Sequence, residues 1–403
     1  MAADTEAHVD VVVVGAGPSG SSAAMAALKG GASVAIIDKA TFPRAKLCGG
    51  LITGRCAQHL RDVFGTQIET DLFETRSRFA FFMDGECLAD VKDAPAAHLT
   101  MRWDFDEHLY QKVIAAGAQD FTGSRIESLE LSANRITLSG GQSISFSCLV
   151  GADGVRSQVA AALFGQSFDP SKIGFALEIE SVGQRPGTDT PIRVDFAAAS
   201  WGYGWSFPKR QGTTIGVGGL QTENPDMKHR LSEYLNLLDV SSDAKIKGHF
   251  LPFGGFRNRP GRDNVLLVGD AAGFVDPITG EGIGYAIQSG ALAGRAAAKA
   301  VAAKAPETAF SEYLIATRPI RTAILCARLL RPIIFARGSK RFFASAFRSS
   351  RSLKRDYMNL LDGRTEYPQI LTHTAIRLPR AMLLYLWRKL SKNEAQPHDR
   401  QVG

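Results

Sequence analysis

The chain has few cysteines and shows no pattern in them. Its five, Cys48, Cys56, Cys87, Cys148 and Cys326, are scattered along 403 residues. There is no CxxC pair and no metal-ligand spacing, so neither a disulfide framework nor a metal site is expected, and the chain suits a reducing compartment. No apolar run approaches the roughly 20 residues that a membrane span requires. The N-terminus passes from a few polar residues straight into VDVVVVG. It shows no basic n-region, apolar h-region or cleavage site, and no secretory signal is expected. Internal repeats and low-complexity linkers are lacking too. These absences predict a cytoplasmic protein, or one that meets a membrane only from its inner face.

Negative charge is scarce in one region. From Arg318 to Leu390 there are 16 Lys or Arg against 3 Asp or Glu, a balance of +13 in a chain whose total is +7, so the remainder carries −6. The same region holds the apolar clusters AILCARLLRPIIFA and LPRAMLLYLWRKL. Two readings stand side by side: a helical surface resting on anionic lipid headgroups, or a helical cap whose arginines are solvated. No nucleic-acid recognition motif accompanies the charge, and no nucleic-acid partner is expected. The tail after Leu390 is polar and expected to be disordered.

The length suggests two domains, one interrupting the other. VDVVVVGAGPSGSSAAMAALKGGASVAIIDKA reads as strand, glycine turn, Ala-rich helix and strand. Gly15, Gly17 and Gly20 form GxGxxG, and Asp38 closes the next strand, followed by Lys39. Glycines let backbone approach a pyrophosphate at a helix N-terminus, and an acid about 20 residues on receives ribose hydroxyls. The context marks a dinucleotide site, for NAD or FAD.

Two further segments narrow that choice. CLVGADGVRS ends a strand in Asp153-Gly154, and NVLLVGDAAGFVDPITGEGIGYAIQSG ends another in Gly269-Asp270 before a Gly-rich loop. With the first motif they resemble the flavoprotein hydroxylase and reductase superfamily. That resemblance implies FAD extended across a Rossmann-type domain assembled from separated pieces. Asp270 would hold the ribitol chain, Gly280, Gly282 and Ile283 would lie against the pyrimidine side of the isoalloxazine, and Arg102 would be the basic residue near the cofactor.

Between those pieces lie segments that alternate like strands. One of them, SWGYGWSFPK, places Trp201, Tyr203, Trp205 and Phe207 at every second position, a wall of rings on one strand face with Gly202, Gly204 and Ser206 on the other. Tyr203, Trp205, Phe207-Pro208, then Gly216 and Gly218 give YxWxFP-x7-GxG. This resembles the substrate signature of the geranylgeranyl reductase family, flavoenzymes that saturate prenyl double bonds, and KLCGG at Lys46–Gly50 agrees with that branch. The resemblance covers about the first three-quarters of the chain.

The implied fold is α/β. A discontinuous FAD-binding domain spans 1–75, 102–168 and 264–316, with an inserted antiparallel β-sheet substrate domain at 76–101 and 169–263. A basic helical region follows at 317–390, then the tail 391–403. A prenyl tail offers nothing to hydrogen-bond, so rings must hold it by apolar burial, at about 0.8 kcal/mol per methylene. The bare face would admit another layer, the flavin domain or a neighbouring strand. Tyr203 and Trp205 are expected to stabilise cationic character at the alkene through their π faces, and Cys48 is the first candidate for the proton donor, with Tyr203 or an ordered water as the alternatives. Trp201, Phe207, Pro208, Gly216 and Gly218 complete the expected substrate site. Electrons would come from NAD(P)H bound transiently or from a ferredoxin-like protein, since no second GxGxxG follows a strand. The alternatives are an FAD-dependent monooxygenase on an aromatic or polyketide-like substrate, which the GEGIGY loop disfavours, and a prenyl-lipid carrier.

Overall fold

In the computed structural model, which describes residues 7–68, 71–182, 186–241, 243–253 and 255–394, the β-branched run forms the strand Ala7–Val14, with Val11, Val12 and Val13 fully buried. A strand apolar on both faces suits the centre of a parallel sheet covered by helices. It pairs in parallel with Val34–Asp38 on one side and Ser143–Gly151 on the other. Gln119–Thr122 and Val265–Leu267 extend the sheet outward, again in parallel. The chain therefore turns first to one side of Ala7–Val14 and later to the other. Such a reversal leaves a crevice at the carboxyl ends of the strands, where α/β sheets bind ligands.

Small residues bring two helices tightly together over this sheet. The helix Pro18–Lys29 crosses Ile283–Ala302, and a Cβ on Gly290 or Gly294 would stand 2.1 Å from the carbonyl oxygen of Ser19 or Ala23. Ser22 Oγ donates to the Ile287 carbonyl at 2.6 Å. The alanine content of both helices serves this crossing, which fixes the glycine turn against the GEGIGY loop.

A second sheet has seven strands in the order Lys247–Leu251, Gly174–Val182, Gly212–Leu220, Tyr203–Lys209, Ile192–Asp195, Phe79–Met83 and Glu86–Val91. The expectation of an antiparallel insert needs one correction: Ile192–Asp195 pairs in parallel with Phe79–Met83. Those strands come from separate passes of the chain, so no hairpin dictates their direction. A small sheet of Leu51–Ile52, Glu74–Arg76 and Ala97–Leu99 joins residues on both sides of the boundary expected at 75.

The basic region folds into the helices Arg318–Phe335, Lys340–Ser349, Arg351–Asp362 and Tyr367–Glu394. Phe343, Phe347 and Tyr357 pack edge-on against Phe81 of the second sheet and Phe196 just past its Ile192–Asp195 strand. Buried Arg331 donates to the carbonyls of Phe253 and Trp201, and Tyr367 donates its hydroxyl to Asp276. Most apolar residues here thus face inward, while Leu329, Ile376 and Leu383 are exposed. The tail expected to be disordered from 391 begins inside the last helix, which runs to Glu394; 395–403 lie outside the described residues. No helix among the described residues is long and apolar enough to cross a membrane.

Candidate functional site

The two sheets enclose a cavity of about 950 Å³, near the upper end for small-molecule sites. One half is built from backbone. Gly15 has a positive φ of +102°, and a Cβ there would stand 2.4 Å from the Ala152 carbonyl oxygen. Only glycine tolerates both conditions. Asp38 Oδ2 accepts the Ala16 N–H at 2.9 Å and its Oδ1 accepts the Ala40 N–H, so the acid at the end of the second strand also shapes the turn. Gly17, Asp38, Lys39, Asp153, Gly154, Asp270, Gly280, Gly282 and Ile283 all border the cavity. Gly20 and Gly269 do not: a Cβ on Gly20 would collide with the Gly15 carbonyl, and one on Gly269 would press on Ser19. Their role is packing.

Arg102 starts the helix Arg102–Ala115 and is clamped by Asp106 through paired bonds of 2.7 and 2.8 Å. Arg44, which sequence reasoning missed, reaches Asp106 at 3.3 Å, and its buried Nε lies 3.9 Å from Asp38 Oδ2 without a hydrogen bond. Asp153 caps the following helix through Oδ2, whereas its buried Oδ1 has no partner. Beside Gly154, whose φ is +77°, nothing lies within 4 Å of where a Cβ would point. Bare backbone, an acid, an arginine and orphaned polar atoms along one crevice fit an extended dinucleotide.

The other half is built from side chains. Tyr203, Trp205 and Phe207 line the cavity as one face of the Tyr203–Lys209 strand. The strand register explains the glycines of the signature: Gly218 stands opposite Tyr203 and Gly216 opposite Trp205. A Cβ on Gly216 would lie 2.4 Å from Trp205 Cζ2, so the indole rests flat on the neighbouring strand only because that position is bare. Gly218 borders the cavity, whereas Gly216 and Pro208 do not. Trp201 is not part of the wall. It precedes the strand with a φ of +51° and packs against Arg331, because the alternation starts only at Tyr203. The bare positions meet two layers: at Gly202 the neighbouring strand, whose Gly218 carbonyl oxygen would lie 1.9 Å from a Cβ, and at Gly204 the helix Met227–Leu237, through Tyr234.

Opposite the rings run Lys46–Gly50 and the Thr279–Ile283 loop, so Cys48 faces the same space as the tyrosine and tryptophan. The Tyr203 hydroxyl donates to the Thr279 carbonyl at 2.6 Å, and burial raises its pKa well above the usual phenol value. Lys46 Nζ contacts His249 Nε2. Burial lowers Lys46 to about 8 and, with the Lys46 charge, His249 to about 3, so a charged lysine donates to a neutral imidazole. Glu281, largely buried at the cavity edge, accepts from Thr53 Oγ1 at 2.7 Å. Among these residues, Cys48, Tyr203 and Trp205 were signalled as chemical by sequence; Lys46, His249, Thr53 and Glu281 were not. Among the described residues no group of His, Cys, Asp and Glu could hold a metal.

Comparison with known proteins agrees with this layout. The family described as FAD dependent oxidoreductase matches residues 10–129. Menaquinone reductase of Mycobacterium tuberculosis is 31% identical over 309 residues, covering 70% of this chain and 75% of that one. Digeranylgeranylglycerophospholipid reductase 3 of Methanosphaera stadtmanae is 30% identical over 320 residues, covering 73% and 78%. Among solved structures, a geranylgeranyl bacteriochlorophyll reductase-like protein from Thermoplasma acidophilum superposes with a TM-score of 0.75 at 20% identity, covering 92% of this chain and 99% of the other. A flavin-dependent brominase shares the fold with a TM-score of 0.70, also at 20% identity, over 93% and 99%.

Proposed function

The chain belongs to the geranylgeranyl reductase family of FAD-dependent oxidoreductases, and from that premise we propose that it saturates carbon–carbon double bonds in a prenyl chain. Relatives named for menaquinone and for digeranylgeranylglycerophospholipid support a prenyl tail carried on a larger head group. The observation that carries the reading is the wall of Tyr203, Trp205 and Phe207, laid flat by Gly216 and Gly218 and facing the Cys48–Gly50 turn.

FAD would be held by the Gly15–Gly17 turn, Asp38, Lys39, Arg44, Arg102, Asp153, Gly154, Asp270 and the 280–283 loop, and in reduced form supplies a hydride to one alkene carbon. The chain's own residues do the rest. The rings exclude water and bury the hydrocarbon. Their π faces stabilise positive character at the more substituted carbon. Cys48 Sγ holds the proton for that second carbon. The Tyr203 hydroxyl is a poor donor, its proton being committed to the Thr279 carbonyl.

NAD(P)H binding transiently at the cavity mouth, or a ferredoxin-like protein, reloads the cofactor. The exposed Leu329, Ile376 and Leu383, set among arginines, make a peripheral contact with anionic lipid at the inner face of a membrane.

The test is anaerobic. The holoprotein is reduced with dithionite, a prenylated quinone or geranylgeranyl diphosphate is added, and flavin absorbance is followed. Reoxidation with a gain of two hydrogens per bond in the lipid supports the reductase. Flavin that stays reduced until air enters, with oxygen appearing in a product, overturns it in favour of a monooxygenase. Trp205→Leu should slow reoxidation more than it weakens lipid binding; equal losses would reduce the ring to packing.

A further inference from the structure

Behind the cavity wall lies a buried carboxyl that neither the dinucleotide crevice nor the ring wall uses. Glu178 sits in the middle of the second sheet, fully buried. It belongs to the cross-strand row Trp205, Gly216, Glu178, Lys247. Its Oε1 accepts the backbone N–H of Cys48 at 3.0 Å, and its Oε2 has no hydrogen-bond partner. In the same row Trp205 Nε1 is buried without an acceptor. An ionised carboxylate with an empty oxygen is strongly disfavoured in such a place, so the group tends to keep its proton. Burial raises Glu178 to about 7.

The charges around it are few and identifiable. Lys209, buried at the end of the Tyr203–Lys209 strand, has its Nζ 3.1 Å from where a Cβ on Gly50 would stand. Burial lowers the Lys209 pKa, while Glu178 and Cys48 oppose that shift. Glu180 on the same strand and Lys247 on the edge strand bond to each other at 2.7 Å. Arg102, clamped by Asp106, lines the same cavity as Cys48. The carboxyl therefore holds the backbone N–H of the residue that carries the thiol, the thiol accepts from Gly50 N at 3.4 Å, and Lys209 stands beside the same turn.

We propose that Glu178 is the proton reservoir of the site, returning a proton to Cys48 after each turnover while Lys209 holds the carboxylate that results. This rests on Cys48 as the proton donor of the proposed reduction. The Cys48 S–H bond breaks as the substrate carbon takes the proton. The Glu178 O–H bond then breaks as the S–H bond re-forms, and the carboxylate regains a proton from water. Neither residue changes oxidation state; both electrons travel with the hydride. Glu178 acts through Cys48 and is a positioning residue.

The experiment reads the thiol directly. Holoprotein is alkylated with iodoacetamide across a pH series, and Cys48 modification is quantified by peptide mass spectrometry, which separates it from exposed Cys87. In Glu178→Gln the anion opposing the thiolate is gone, and the alkylation midpoint should fall by about one pH unit. In Lys209→Met it should rise. In turnover, Glu178→Gln should leave the first flavin reoxidation at the wild-type rate and slow later cycles about tenfold, with Glu178→Asp restoring them. Coincident alkylation profiles for wild type and Glu178→Gln overturn the reservoir and leave the reductase reading intact. A Cys48→Ala protein with full turnover overturns it by the other route, through the donor. If Glu178→Gln does not fold, Lys209→Met decides, and an unmoved midpoint there rejects the proposal.

Discussion

The two halves of the cavity are made by opposite means. The cofactor half is backbone shaped by glycines whose missing Cβ atoms are required by local geometry, as at Gly15 against Ala152. The ring half is side chain, and its glycines serve a partner strand: Gly216 is bare so that Trp205, opposite it in the register, can lie down. In the first half a substitution breaks the turn that carries it. In the second it displaces a ring one strand away. Loss of cofactor and loss of substrate binding should therefore be separable by mutation.

The largest expected effect tests the backbone half. Gly15→Ala must place a Cβ 2.4 Å from a backbone oxygen at a φ of +102°, a combination costing about 3 kcal/mol or more. The purified protein should carry little or no FAD, as measured by flavin absorbance per polypeptide. Retention of full FAD content would mean that this turn yields and that the contrast between halves is wrong.

Next comes a pH effect confined to the ring half. Glu178 has a folded-state pKa raised from 4.5 to about 7, so the folded protein disfavours its ionised form. The stability associated with the protonated carboxyl is fully present below pH 4.5 and is lost as pH rises through 7. The loss amounts to at most about 3 kcal/mol. Glu178→Gln should flatten this part of the stability curve in denaturant titrations; an unchanged slope would mean that Lys209 compensates the ionised carboxylate completely.

Gly216→Ala sharpens the contrast from the other side. The new methyl meets Trp205 Cζ2 at 2.4 Å and the Leu177 carbonyl at 2.7 Å, an overpacking cost of about 1–3 kcal/mol. Prenyl-lipid affinity should fall about tenfold, by flavin fluorescence titration, with FAD content at the wild-type level. A parallel loss of FAD would show that the halves are mechanically joined.

This contrast also explains what could be read beforehand. Glycine turns are local, so GxGxxG, Asp38 and the Asp153-Gly154 and Asp270 loops could be placed from spacing and resemblance, and all of these but Gly20 border the crevice. The ring wall was legible in its alternation from Tyr203 onward. Trp201 was misassigned because period-two spacing extends past the point where the backbone leaves the strand, with a φ of +51°. Gly216 was read as substrate site when its role is set by a cross-strand partner that sequence does not name. Glu178 gave only one faint signal, an acid in phase with Ala176 on an apolar strand. Its importance comes from Cys48, 130 positions earlier, a contact that only the assembled sheets create.

The smallest expected effect concerns the covered face of the ring strand. Tyr234 donates its hydroxyl to Asp195 Oδ2 at 2.6 Å while its ring lies over Gly204, and Asp195 is also held by Arg193 at 2.9 Å. Tyr234→Phe keeps the ring and removes one bond to a buried carboxylate that retains its arginine, so the cost should be about 1–2 kcal/mol in unfolding free energy. FAD content and lipid turnover should not change, because the helix supports the strand from the side away from the cavity. If turnover falls in step with stability, the position of the rings depends on this helix. The substrate half would then reach through the whole thickness of the sheet, while the cofactor half remains a matter of a few glycine turns.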